Sequence, residues 1–264
     1  MKNIVIIGLV LWGLSSCQSS TKKAGQKEPI LSIEQRVVNL SEEINDKLDE
    51  MAKEEDVYTP PSIATIFSDP VVNTPLIKEN PLIGIDLPFK ILCFSEADTT
   101  KVSMAYTSTD FISKRHGIKF SILESFDKKL TKIISSIDAS LISRTNTDSI
   151  SLGYGIIKIQ SDYDFNSTVD NLKAIVNAQN DTRWFGEIDF QKDAATLNQE
   201  VNQSTLLLFG GPAPGGKAMM TTPKIGLDAF CQKLLVYEND DGEIWIAFND
   251  IVAFSELYYG RSTK

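Results

Sequence analysis

Residues 67–96 and 209–238 align on each other without a gap at an offset of 209 − 67 = 142, and eight of the thirty columns are identical. The matches are Phe67/Phe209, Pro70/Pro212, Pro81/Pro223, Ile83/Ile225, Gly84/Gly226, Asp86/Asp228, Leu92/Leu234 and Glu96/Glu238. Average residue usage gives about two matches over such a stretch. Two prolines and a glycine are among the eight, and these residue types fix backbone shape rather than fill space. The chain therefore reads as a duplication, with a first repeat over residues 31–145 and a second over 152–260.

The second repeat has the plainer pattern. Ile156-Ile157-Lys158-Ile159 reads as a strand, and Asp164 is an N-cap for a helix with Phe165, Val169, Leu172 and Val176 on one face. Trp184 to Phe190 alternates as a half-buried strand, and Thr205 to Phe209 reads as a fully buried one. Lys233 to Glu238 and Glu243 to Phe248 flank Asn239-Asp240-Asp241-Gly242, whose Asp-Gly pair signals a hairpin.

The first repeat has matching strands at Ser62 to Phe67, Ile91 to Phe94 and Val102 to Tyr106, then a short helix Phe111 to His116 ending at Gly117. Its opening differs. A long helix capped by Ser32 with Gln35 carries the stripe Ile33, Val37, Leu40, Ile44, Leu48 and Met51. A further helix carries Ile122, Phe126, Leu130, Ile133, Ile137 and Leu141, and Ser143 to Ser149 makes a polar linker. The fold class is α+β, with these extra helices covering a sheet face or the junction between repeats.

Pro60-Pro61 through Phe67, Asp69-Pro70, the run Pro81 to Lys90 (PLIGIDLPFK) and the closing Arg115-His116-Gly117 follow one pattern. Gly211-Pro212, Gly226-Leu227-Asp228, Lys233 to Glu238, the Gly242 hairpin and Asn249-Asp250 follow it again. This pattern resembles the domain of unknown function 302 family. The resemblance covers most of residues 57–118 and 152–260, and the first copy matches only its later half. It implies a β-α-β-sheet-α unit similar to the TATA-box-binding-protein-like arrangement, which dimerises in the family, so two tandem copies would make an intramolecular pseudo-dimer. It implies no reaction and no cofactor. Two departures stand out: Asp69 and Gly211 replace the Asn that usually precedes Pro, and Phe230-Cys231-Gln232 disturbs the run before Lys233.

The N-terminus carries a different message. Lys2 followed by the apolar run Ile4 to Leu14 has the grammar of an export signal, too short for the ~20 residues of a membrane-spanning helix. Leu14-Ser15-Ser16-Cys17 resembles the lipobox of bacterial lipoproteins, in which cleavage exposes the cysteine for acylation. The expectation is a signal peptide over residues 1–16, lipidation (a palmitate-type anchor) at Cys17, and a flexible tether over 17–30. This places the protein in the cell envelope, anchored to the outer membrane or a periplasm-facing membrane. Removal of Lys2 with the signal gives a mature charge of 25 − 35 = −10 with no basic block, which argues against nucleic acid.

Several local motifs imitate known chemistry and fail on inspection. Gly211 to Lys217 spells G-x-x-x-x-G-K after a strand, but Pro212 and Pro214 have no N–H to cradle phosphate and Ala218 has no hydroxyl for magnesium. Asp162, Asp164 and Asn166 start like a calcium loop, yet Ser167 and Lys173 stand where the glycine and the bidentate glutamate belong. One histidine and no close cysteine pair leave too few ligands for zinc, and His116 sits where a basic residue terminates a helix. Cys93 reads as a core-strand residue, with a Cys93–Cys231 bridge as the alternative to two free thiols.

Asp86 and Asp228 are the notable polar residues, each within an apolar Gly-Ile/Leu-Asp segment and followed by Lys90 or Lys233. The structural reading is a cap or turn met by local N–H groups. The functional one is a polar anchor at the mouth of a pocket. The sequence thus points to a non-catalytic envelope module binding a small ligand or protein partner between its copies, with Asp86, Lys90, Asp228, Lys233 and Asn249 as ligand-binding candidates. A structural lipoprotein without ligand, and an enzyme using carboxylates or Cys231, are the competing readings.

Overall fold

The architecture is seen in a computed structural model, which describes residues 62–95, 101–211, 215, 219–229 and 232–260. The predicted signal peptide, Cys17, the tether, the long helix around Ile33 to Met51 and most of the Gly211 to Lys217 loop lie outside those residues. Among the described residues no helix is long and apolar enough to cross a membrane.

The first copy runs β1 (Ser62–Phe67), α1 (Pro70–Glu79), a 3-10 turn (Pro81–Ile85), β2 (Phe89–Ser95), β3 (Val102–Tyr106), α2 (Thr109–His116) and α3 (Phe120–Ile134). The second runs β4 (Ile156–Gln160), α4 (Phe165–Ala178), β5 (Arg183–Asp189), α5 (Phe190–Ala195), β6 (Ser204–Gly210), a 3-10 turn (Pro223–Ile225) and α6 (Gly226–Ala229). It closes with β7 (Gln232–Glu238), β8 (Ile244–Asn249) and α7 (Ile251–Tyr259). The first sheet has order β1-β2-β3 and the second β4-β8-β7-β6-β5, with every pair antiparallel.

Local chemistry explains the ends. Asp164 accepts from the Ser167 N–H at the start of α4, as its position foretold. Asp69 caps α1 by accepting from Val71 N, with Pro70 at the first helical position where its missing N–H costs nothing. Gly117 and Gly260 end α2 and α7 at φ 67° and 64°, the left-handed cap for which glycine is suited. α3 is shorter than its stripe predicted: it stops at Ile134, and Ile137 and Leu141 lie exposed beyond it. Its buried face is Leu123, Phe126, Leu130 and Ile134, one step round from the predicted Ile122 and Ile133.

Register corrects the sequence alignment. Ile66 pairs with Lys90 and Leu208 with Lys233, so 66 + 142 = 208 but 90 + 143 = 233. Likewise Leu92 pairs with Ala105, and Leu235 with Ala247. The second copy therefore has one additional residue between Asp228 and Lys233. Leu92 corresponds to Leu235, not Leu234, and Arg115-His116-Gly117 to Tyr258-Tyr259-Gly260.

The two copies interlock through their turns. Ile83, Ile85 and Leu87 of the first copy share one core with Leu206, Leu208, Leu235 and Phe254 of the second. Leu227 of the second copy packs with Leu92, Phe94 and Ala105 of the first. The repeated glycines mark these approaches. A Cβ on Gly84 would stand 2.8 Å from Leu235 Cδ1, and one on Gly226 would stand 2.6 Å from Met219 Cε and 3.6 Å from Leu92 Cδ1. The first turn thus presses directly on Leu235 of the other copy, whereas at Gly226 the equivalent Leu92 stands at ordinary contact distance and the close neighbour is the flexible end of Met219.

Candidate functional site at the seam

The same turns carry Asp86 and Asp228 into the seam, with side chains fully or almost fully buried. Among the described residues, neither meets the local N–H groups that the structural reading expected. Asp86 follows the first turn, and Arg115 Nη1 donates to both of its oxygens at 2.8 Å. His116 Nε2 lies 2.5 Å from Asp86 Oδ2. An ionised carboxylate only accepts, so the imidazole donates there.

Arg115 extends the contact into the second copy. Its Nε donates to Tyr154 O at 2.8 Å, and its Nη2 donates to Gly155 O at 3.0 Å and to Asn249 Oδ1 at 2.8 Å. The guanidinium also lies over the rings of Phe111 and Phe254, 5.5 and 5.0 Å from their centres.

Asp228 repeats the arrangement with different chemistry. Lys90 of the first copy donates to Asp228 Oδ1 at 2.9 Å and to Leu227 O at 2.7 Å. Lys233 of the second copy donates to Ile85 O at 2.7 Å, so each lysine reaches the backbone just before the other copy's aspartate. Tyr258, the counterpart of Arg115, donates its hydroxyl to Asp228 Oδ2.

Burial alone would raise both carboxyl pKa values. Arg115, His116 and Lys233 outweigh it at Asp86, holding it well below the usual carboxylate range. Lys90, Lys233 and Tyr258 likewise outweigh burial at Asp228 and lower its pKa. Burial, reinforced by Asp228, pushes the Tyr258 phenol well above its ordinary value. Arg115 and Lys90 match the two carboxylates, which leaves Lys233 in excess. Burial and the neighbouring Lys90 charge bring Lys233 down to about 7, while Asp228 and Asp86 keep Lys90 above its ordinary value against its own desolvation.

Four of the five sequence candidates, Asp86, Lys90, Asp228 and Lys233, therefore meet in one buried cluster, and Asn249 joins through Arg115. Sequence alone does not mark Arg115 as a partner for Asp86, and it favours a helix-terminating role for His116. Tyr258 had no motif at all. Its position opposite Arg115 emerges only when the additional residue before Lys233 is counted.

Two clefts flank the cluster, each lined by both copies. One, of about 650 Å³, lies between α2, α3 and residues 139–147, with Leu227 and Tyr258 of the second copy in its wall. Tyr106, Thr107, Ser108, Thr109, Asp127 and Arg144 give it a hydroxyl-rich lining. The other, of about 490 Å³, has Asn80, Arg115, His116, Lys158 and Trp245 in its wall. Among the described residues, the buried Thr107 Oγ1, His116 Nδ1 and Asn249 Nδ2 have no hydrogen-bond partner.

The sequence profile of "Domain of unknown function DUF302" matches residues 41–137 and 157–260, which is 97 + 104 = 201 of the 264 residues. The chain belongs to the DUF302 family. The first DUF302 copy extends beyond the partial match read from its motifs, starting at residue 41 within the predicted long helix. A solved structure described as "Crystal structure of uncharacterized conserved protein DUF302 from Bacillus stearothermophilus" aligns with 38% of this chain and 77% of that one. The identity is 13% and the TM-score 0.35. Comparison with the curated proteins finds no match.

Asp164 serves as a helix cap, and among the described residues no group of three His, Cys, Asp or Glu side chains could hold a metal ion. Among the described residues Cys93 is not part of the core: it is a free thiol exposed on the outer face of β2. Cys231 lies outside the described residues.

Proposed function

We propose that this DUF302 protein is a non-catalytic, lipid-anchored module of the cell envelope that holds a small polar ligand in the larger seam cleft. The observation that carries this reading is Thr107 in that cleft's wall. Its hydroxyl is buried without a partner, next to Ser108, Thr109, Asp127 and Arg144. An unpaired buried hydroxyl costs about 1–3 kcal/mol, which a ligand group or water in the cleft would recover. Anchoring through Cys17 rests on the export signal and the Leu14-Ser15-Ser16-Cys17 segment. The candidates Asp86, Lys90, Asp228, Lys233 and Asn249 then act one layer behind the cleft, fixing Tyr258 and Leu227 in its wall rather than touching the ligand.

Native mass spectrometry of Gln18 to Lys264 purified from the cell envelope tests this. The expected result is a retained mass that disappears in Thr131→Trp, a substitution that fills the cleft from an exposed position on α3. A retained mass unaffected by Thr131→Trp overturns the cleft assignment. A bare protein favours the second reading, a structural lipoprotein, which the mutual satisfaction of Asp86, Arg115, Lys90 and Asp228 supports.

A further inference from the structure

The two sheets are not covered alike on their outer faces. In the second copy, α4 lays Phe165 and Val169 over Leu207 of β6 and Val236 of β7. By the register offsets, the equivalent positions of the first copy are Thr65 and Cys93, with Ile63 beside them as the partner of Cys93 across β1 and β2. There α3 covers only one end of the face, where the Phe126 ring meets Phe89 at 5.1 Å and Phe89 meets Phe67 at 4.6 Å. The other end is open among the described residues: Ile63 is 63% exposed, Val102 57%, and Cys93 and Thr65 are exposed as well.

The chain reaches β1 at this open end, since Ser62 and Ile63 begin the strand. The stripe Ile33, Val37, Leu40, Ile44, Leu48 and Met51 precedes it, and such a stripe requires an apolar surface. Residues 52–61 can span up to ~35 Å, enough to turn a helix back along a six-residue strand. The family matches add an independent alignment. They begin at residue 41 in the first copy and at residue 157 in the second, where the matched segment opens with β4 and α4. The later part of the stripe therefore lies inside the matched segment ahead of β1, as β4 and α4 lie ahead of β6 in the second copy.

We propose that the segment Ser32 to Met51 docks as an amphipathic helix on the open end of the first sheet, burying Ile63, Cys93 and Val102 as α4 buries its counterparts. This segment is the first copy's substitute for the missing β-α-β opening. Docking there occupies the stripe's apolar face, instead of leaving it free for a membrane or a second protein.

Cys93 reports directly on this contact. The full chain with Cys17→Ser and Cys231→Ser keeps Cys93 as its one thiol. In that background Leu40→Cys, Ile44→Cys and Leu48→Cys are each oxidised with diamide, which takes up the two protons and two electrons released as the S–S bond forms. The expected result is that at least one apolar-face cysteine bridges to Cys93 at least ten times faster than Glu42→Cys on the opposite face. In the same background without added cysteines, Ile44→Asp raises the rate of Cys93 alkylation by maleimide at least tenfold. Equal bridging from both faces, no bridging at all, or a Cys93 alkylation rate unchanged by Ile44→Asp overturns the proposal.

Discussion

Replacing Asp86 by Asn removes one charge from the centre of the seam while keeping its volume. Asp86 and Arg115 are both at 0% side-chain exposure, and Arg115 Nη1 donates to both carboxylate oxygens. Breaking a buried pair by neutralising one partner costs about 3–5 kcal/mol, because the surviving charge stays desolvated. Arg115 retains Tyr154 O, Gly155 O and Asn249 Oδ1, which places the cost near the lower bound, about 3 kcal/mol. With a urea slope of about 2–3 kcal/mol/M, the unfolding midpoint should fall by roughly 1–1.5 M with the slope unchanged. The pH profile supplies a second readout. A carboxylate with a depressed folded pKa contributes stability that is present above its unfolded value of about 3.9 and lost as pH falls below it. The parent should therefore weaken below pH ~4 and Asp86→Asn should weaken less. A midpoint shift under about 0.3 M would refute the claim that this ion pair holds the seam.

Other consequences are sharp enough to test. Gly84→Ala should cost about 1–3 kcal/mol in urea unfolding, since the new Cβ meets Leu235 and the Phe190 ring. Gly226→Ala should cost under about 1 kcal/mol, because its nearest neighbour is the flexible end of Met219. Stability should rise between pH 7 and about 10, as Lys233 binds its proton less tightly when folded than its ordinary 10.5, and Lys233→Met should flatten that rise. Lys90, shifted upward, opposes this only above about 10.5. Tyr258→Phe should cost about 1.5–3 kcal/mol by removing a buried hydrogen bond to a charged group, and a loss under 0.5 kcal/mol would show that Asp228 is satisfied by Lys90 alone.

Period and punctuation made much of this architecture legible. The strands of both copies, the Asp164 cap, the Gly117 stop and the Gly242 hairpin follow from alternation, cap chemistry and turn residues acting within a few positions. The Pro81 to Lys90 run revealed the duplication because its constraints are steric and repeated in both copies. The pairing of charges was not legible, since Arg115 and Asp86 lie 29 residues apart and Lys90 and Asp228 lie 138 apart. The additional residue before Lys233 also hid the equivalence of Arg115 and Tyr258, because a gap-free alignment rewards the accidental match of Leu92 with Leu234. Asp69-Pro70 is a cap followed by a helix-starting proline, a signal that its Gly- and Pro-rich sister segment does not repeat. Cys93 was assigned to the core by residue type, whereas its face is decided by whatever covers the first sheet.

Side chains exchanged across the seam join the two copies, and a double-mutant cycle on Lys90 and Asp228 measures that exchange. Their charged atoms are 2.9 Å apart and almost fully buried. Unfolding free energies of the parent, Lys90→Met, Asp228→Asn and the double variant should give a coupling of about 2 kcal/mol or more, within the range for contacting residues. Effects additive within about 0.5 kcal/mol would mean that the lysine and the aspartate do not hold the copies together.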